Sequence, residues 1–259
     1  RLIDGEALMR DVRATKLPAE IECLRSAIAI AEGALGAVAL ELRPGVRELD
    51  LKGAFEEAVC RYGLNHVAYE GTFCAAPPDV SSPRRIPTDR PVGAGELVVL
   101  HGAVHYAGYE GIAGRTRPCV GPTGAPRREQ LALARRFLTA QRAAIDACVP
   151  GASGAAVAAA WSGAGGPAMD EPLVYGIGFG VEWPLIGGIP DAAAGDADEL
   201  HLRAGMTLVV QGRMHEPGVG SYFAADVVLV GDDGPVRLSR ASHAPFDDVD
   251  DPDELSDRA

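Results

Sequence analysis

The chain has 259 residues, 47% of them hydrophobic, which is enough apolar material to bury one substantial core. A formal charge of −12, from 36 Asp and Glu against 24 Lys and Arg, excludes nucleic-acid phosphate as an expected partner, because such a surface needs concentrated cations. The five cysteines, Cys23, Cys60, Cys74, Cys119 and Cys148, are odd in number and include no C-x-x-C pair, so buried reduced thiols are expected.

Residues 1–16 read as a linker, and the opening on Arg1 rather than Met leaves open an amino-terminal domain outside the sequence. No signal-peptide pattern opens the chain, and no apolar run is read as approaching the roughly 20 residues of a membrane span. The expectation is a soluble, cytoplasmic protein with no membrane partner, with a homodimer left open. Pro18, Glu20 and Glu22 open a helix whose apolar residues Ile21, Leu24, Ile28, Ala31, Leu35, Val38 and Leu42 recur every three or four positions, giving one buried stripe. It stops at Pro44-Gly45. A second helix runs from about Asp50 to Tyr62 and ends at Gly63, a favourable residue just past a helix end.

Strand-like runs follow at Val67 to Ala75, Leu97 to Tyr106 and Gly114 to Val120. The helical pattern then recurs from about Arg127 to Val149, stops at Pro150-Gly151, and resumes from Gly154 to Trp161. Pro150 lies 106 residues beyond Pro44, and the same offset pairs Leu51 with Val157 and Phe55 with Trp161, as two half-domains built alike would show. Further strands are read at Met206 to Arg213 and Tyr222 to Val230. Helices grouped apart from antiparallel strands make this an α+β layer fold with two pseudo-repeated halves, spanning residues 17–241. The tail from Ser242, rich in Asp and Pro, reads as disordered. The pairs Arg84-Arg85 and Arg127-Arg128 read as solvated.

The densest motif is Gly95 to Gly121, GELVVLHGAVHYAGYEGIAGRTRPCVG. With its Tyr106, Gly108, Tyr109, Gly111, Arg115 and Thr116 it resembles the creatinase, aminopeptidase P and methionine aminopeptidase family. In that family this segment carries two aspartates that share a pair of divalent metal ions. The resemblance implies a pita-bread fold, a curved and mostly antiparallel sheet covered by paired helices. It also places His101 and Ile112 at the two aspartate positions. Downstream it places Phe179 and Ile186 at family histidines, Gln211 at a glutamate after Gly205-Met206, and Ala225 at the last glutamate. With all five metal ligands replaced, by His101, Ile112, Phe179, Gln211 and Ala225, the expectation is no metal and no cofactor, because Ile, Phe and Ala offer no donor.

Without metal, His101 is the leading catalytic candidate, since an imidazole of ordinary pKa does acid or base work near neutrality. His105, four residues further along the same strand face, lies about 13 Å away, too far to share an ion with it. Tyr109 and Glu110 join His101 as catalytic candidates. His105, Tyr106, Arg115, Phe179, Glu182, Gln211, Arg213 and His215 are candidate substrate-binding residues. Arg115 or Arg213 could clamp a carboxylate, while an ion pair inside the sheet is the alternative for Arg115. The functional expectation is a metal-independent or degenerate hydrolase or lyase acting on, or binding, a small amide or amino-acid-like molecule. The first alternative is a non-catalytic module that binds peptide or protein, as in the metal-free pita-bread domain of a histone chaperone. The second, if the register is wrong, is an Xaa-Pro peptidase-type metallohydrolase.

Overall fold

The computed structural model describes residues 5–81, 86–121, 124–188 and 201–246; Arg84-Arg85 and the acidic stretch Asp247 to Glu254 lie outside them. Five helices, α1 (Glu6–Ala14), α2 (Pro18–Glu41), α3 (Glu48–Arg61), α4 (Arg128–Asp146) and α5 (Gly154–Gly163), accompany eight strands. The strands are β1 (Thr72–Ala76), β2 (Leu97–Tyr106), β3 (Tyr109–Pro118), β4 (Val174–Ile177), β5 (Val181–Ile186), β6 (Thr207–Glu216), β7 (Gly220–Gly231) and β8 (Gly234–Arg237). They form one antiparallel sheet in the order β1-β2-β3-β7-β6-β4-β5, with β8 beside β7.

Helix α2 starts where Pro18 fills the first helical position, and the Leu17 N–H donates to the Glu20 carboxylate at 2.6 Å. Its stripe of Leu24, Ala27, Ile28, Ala31, Ala34, Leu35 and Val38 is buried against the sheet. With 24 residues and a mean hydropathy of 1.6 in its most apolar stretch, α2 is long and apolar enough to cross a membrane, which corrects the sequence expectation. Small residues that crowd this helix (Ala27, Ala31, Ala34) let it lie close to β3. At Gly111 a Cβ would sit 2.1 Å from the Ala27 carbonyl carbon, so only glycine permits the approach.

The two halves repeat one packing device. In the first, Phe55 of α3 lies over Gly102 of β2, where a Cβ would meet the ring at 2.6 Å. In the second, Trp161 of α5 lies over Gly212 of β6, where a Cβ would meet the indole at 2.5 Å. The Phe55–Trp161 correspondence read from the sequence is therefore a structural one. Ser153 caps α5 by accepting from the Ala156 N–H at 3.1 Å.

Several expected boundaries shift. Residues 6–14 of the expected linker form α1, and Thr15 bridges to Met206. The strand expected from Val67 begins only at Thr72, while β3 starts five residues earlier than its motif suggested, at Tyr109. Of the tail read from Ser242, residues 242–246 are described. The Glu32 carboxylate accepts from the Arg240 and Ala241 N–H groups, and Phe246 is wholly buried against Tyr222. Cys23 and Cys60 are not buried as expected, whereas Cys74, Cys119 and Cys148 are.

Candidate functional site

Strand pairing lines up residues far apart in sequence. Thr72 pairs with His101, His101 with Gly114, Gly114 with Ala225, and Ala225 with Gln211, one transverse row across five strands. Alternation then puts Val99, Ala103, Ile112, Phe223 and Val227 on the same face as this row, with Leu24 and Ile28 of α2 in the same cluster, while Gly102 and Gly212 on the opposite face meet Phe55 and Trp161. Ile112, Tyr175, Ile177, Val209, Phe223 and Ala225 pack together there as one apolar cluster.

Beside that cluster lies a pocket of about 270 Å³ lined by Tyr69, Glu70, Gly71, Thr72, Ile86, Val99, His101, Glu171, Gln211, Arg213 and Phe223. His101 is held by three contacts. Its Nδ1 is 2.8 Å from the Tyr69 hydroxyl, the Tyr69 ring meets it edge-on at 5.5 Å, and the Phe223 ring packs at 4.8 Å. Nε2 is buried with no hydrogen-bond partner among the described residues. Burial, then the positive charge of Arg213, push the His101 pKa down to about 3. This corrects the expectation of an imidazole titrating near neutrality. The ring stays uncharged there.

Arg213 donates to Glu171 at 2.8 Å, and Gln211 Nε2 donates to the Pro172 carbonyl at 3.0 Å. Of the expected site residues, His101, Gln211 and Arg213 thus converge on one pocket. A second group gathers at the tip of the β2–β3 hairpin, outside that lining. Tyr106 is exposed, His105 Nε2 lies 3.9 Å from a Glu110 oxygen, and burial raises the Glu110 pKa. The Tyr109 hydroxyl donates to Glu20 at 2.7 Å, a bond that pushes its pKa up to about 12. Burial would raise the Glu182 carboxyl, but the Phe179 N–H, which donates to it at 3.0 Å, and then Lys16 and Arg13 hold it below the ordinary range. His215 Nδ1 meets the Ser221 hydroxyl at 3.0 Å and borders a different pocket.

Of the two readings of Arg115 the ion pair inside the sheet is the one found, and the placing of Phe179 as a pocket residue is overturned. Arg115 points to the helix-covered face, where it pairs with Asp226 at 2.7 Å and donates to the Ala241 carbonyl, so it cannot clamp a substrate in the pocket. Phe179 is 59% exposed in the β4–β5 turn, under the Arg13 guanidinium and 5.2 Å from Tyr109. Ile186 is buried on the helix side, and the residue that β4 turns toward Ile112 and Ala225 is Tyr175, four positions before Phe179. Tyr175 shares its face with Ile177 by simple alternation, a signal present in the sequence. Tyr69 and Glu171 sit in connecting segments with no period to mark them. Among the described residues, no three His, Cys, Asp or Glu side chains are grouped to hold a metal ion.

The sequence pattern of Metallopeptidase family M24 matches residues 22–232. The chain belongs to this family. The M24 match agrees with the curated relatives. An Xaa-Pro dipeptidase of Pyrococcus furiosus is 26% identical over 239 residues, covering 90% of this chain and 65% of its own length. A probable dipeptidase PepE of Mycobacterium tuberculosis is 28% identical over 238 residues, covering 91% and 61%. This chain therefore spans somewhat less than two thirds of those M24 relatives. Among solved structures, the prolidase from Pyrococcus furiosus superposes with a TM-score of 0.80 at 25% identity, over 92% of this chain and 68% of that one. An X-Pro aminopeptidase from Thermotoga maritima gives 0.80 at 21% identity over 93% and 66%, a likeness of fold. The M24 architecture is the pita-bread fold that the hairpin motif implied.

Proposed function

We propose that this chain is an M24 protein that works without the family's two-metal centre and holds a small amide- or amino-acid-like molecule in the His101 pocket without hydrolysing peptides. The observation that carries this reading is the apolar packing of Ile112, Tyr175, Phe223 and Ala225 beside His101. Hard divalent ions need several oxygen donors, and this face supplies methyl groups and rings instead. The residues do not fit a dinuclear site. His101 has its Nδ1 committed to Tyr69, and the Arg213 cation, whose charge already disfavours a protonated His101, opposes a metal cation in the same place.

The same geometry weakens a histidine mechanism. An imidazole whose conjugate acid has a pKa of about 3 is unprotonated at neutral pH and is a feeble base, far from the value near the working pH that proton transfer favours. Binding remains the role that the pocket suits. Fold alone does not fix activity, and peptidase action is the second reading because the matched relatives are described as dipeptidases.

One experiment separates the two. Elemental analysis of purified protein should return well under one equivalent of Mn, Co, Fe or Zn per chain, with no turnover of Xaa-Pro dipeptides after Mn or Co is added. Two tightly bound ions together with dipeptide hydrolysis would establish the peptidase reading instead.

A further inference from the structure

The pocket beside His101 carries a specific arrangement of charge. Arg213 supplies one cation, with Glu171 in contact with it and Glu70 on the rim. The Arg213 Nε–H is a buried donor with no hydrogen-bond acceptor among the described residues, and it is one of the five N–H donors of the guanidinium. His101 adds a neutral donor. Burial raises the Tyr69 pKa well above its ordinary value, so its hydroxyl keeps its proton. The contact with His101 Nδ1 is the hydrogen bond the structure gives that hydroxyl. Tyr69 donating to Nδ1 leaves the imidazole proton on Nε2, the atom that has no acceptor among the described residues. A buried donor without an acceptor costs about 1–3 kcal/mol, which favours a ligand that brings one. At about 270 Å³ the pocket lies just below the roughly 300–1,000 Å³ of sites for drug-sized molecules. It suits a small ligand.

Resting on the metal-free binding reading above, we propose that the ligand is a free, small amino acid in its zwitterionic form. Its carboxylate accepts from His101 Nε2–H and Arg213, and its ammonium group faces Glu171 and Glu70. A simple anion would add a third negative charge to a lining where Arg213 already faces Glu171 and Glu70, and a simple amine would leave the His101 donor unmatched. Only a ligand with both charges a few ångströms apart answers both sides. Val99 and the Phe223 ring then offer a small apolar wall for the side chain.

Calorimetric titration of the unmodified protein with glycine, L-alanine and L-proline, beside their N-acetyl and carboxamide derivatives, tests this without relying on any variant. The free amino acids should bind, and each blocked derivative should bind at least tenfold more weakly. In nitrogen-15 spectra His101 should carry its proton on Nε2, with the Nε2 resonance moving on addition of the ligand. Arg213→Gln and Glu171→Gln, checked for folding by their melting curves, should each weaken binding at least tenfold. Equal binding of the blocked derivatives, no heat with any free amino acid, or a proton found on Nδ1 would overturn the proposal. Binding of neutral amides alone would do so while leaving the metal-free reading intact. Two bound metal ions with dipeptide turnover would remove that reading itself.

Discussion

Asp226 is a carboxylate with no exposed surface, and burial by itself would raise its pKa. The Arg115 guanidinium at 2.7 Å, together with His243 and Arg237, more than offsets that and holds the group well below the usual carboxylate range. The pair lies on the helix side of the sheet, where Arg115 also reaches the Ala241 carbonyl and so fastens the carboxy-terminal segment across β7. Removing one partner strands the other charge. Asp226→Asn should therefore cost about 3–5 kcal/mol in urea denaturation, the scale of breaking a buried ion pair. The paired change Arg115→Met with Asp226→Leu should cost much less, because no charge is then left buried. Equal losses in the single and double variants would show that the charges are not coupled. The same residue scale explains why Arg115 is not a ligand clamp: its donors are already committed to backbone and carboxylate.

Between elements, glycine decides how closely helix and sheet approach. Gly111 lies under α2 with backbone, not a flexible side chain, in the path of any Cβ. Gly111→Ala must push the helix off the strand, and overpacking of this kind costs about 1–3 kcal/mol or more. Gly36, on the exposed side of the same helix, has nothing within 4 Å of a Cβ. Gly36→Ala should raise stability by about 0.5–1 kcal/mol, since it removes backbone freedom from the unfolded chain and meets no obstacle. Thermal unfolding of the two variants should move in opposite directions. A destabilised Gly36→Ala protein would mean that the outer surface of α2 is covered in solution. The Phe55–Gly102 and Trp161–Gly212 stacks make the same point about the repeat. Each half seats one aromatic ring from a helix on a strand glycine.

Over the whole molecule, acid acts on several groups at once. His101 falls from an ordinary 6.5 to about 3 on folding, and His243 is also lowered, mainly by burial. The unfolded chain therefore binds more protons than the folded one as pH drops below about 6.5, and stability falls with pH from there. Asp226 and Glu182, both depressed, add to the loss once pH passes below ordinary carboxylate values. Glu110 is raised by burial and works the other way, its stabilising contribution being present at low pH and lost as pH rises through its folded value. The net expectation is a melting temperature that declines continuously from pH 6.5 toward pH 3.5. Each histidine contributes at most about 1.4 kcal/mol per pH unit. His101→Gln should flatten the part above pH 5, where the depressed carboxylates are ionised in both states. An unchanged profile in that variant would show that His101 is not buried neutral.

The sequence by itself determined the fold class, the paired helices, the strand Leu97 to Tyr106 and the family resemblance. All of these rest on local period or on motifs read within a few residues, and helix and strand periodicity is a property of neighbours along the chain. The family resemblance marked His101 and Gln211, which stand at its ligand positions, and Arg213 reads beside Gln211 on the same strand. Only the tertiary structure decided what that face meets. Arg115 and Asp226 are 111 residues apart, as are Phe55 and Gly166 of quite different surroundings, so separation along the chain carries no pairing information. Phe179 gave way to Tyr175 because a turn shifts which residues face inward, and glycine spacing alone does not reveal where that turn begins. The neutrality of His101 was likewise invisible, since a pKa is set by the burial and charges that packing brings around the ring, here Tyr69, Phe223 and Arg213 from three separate segments.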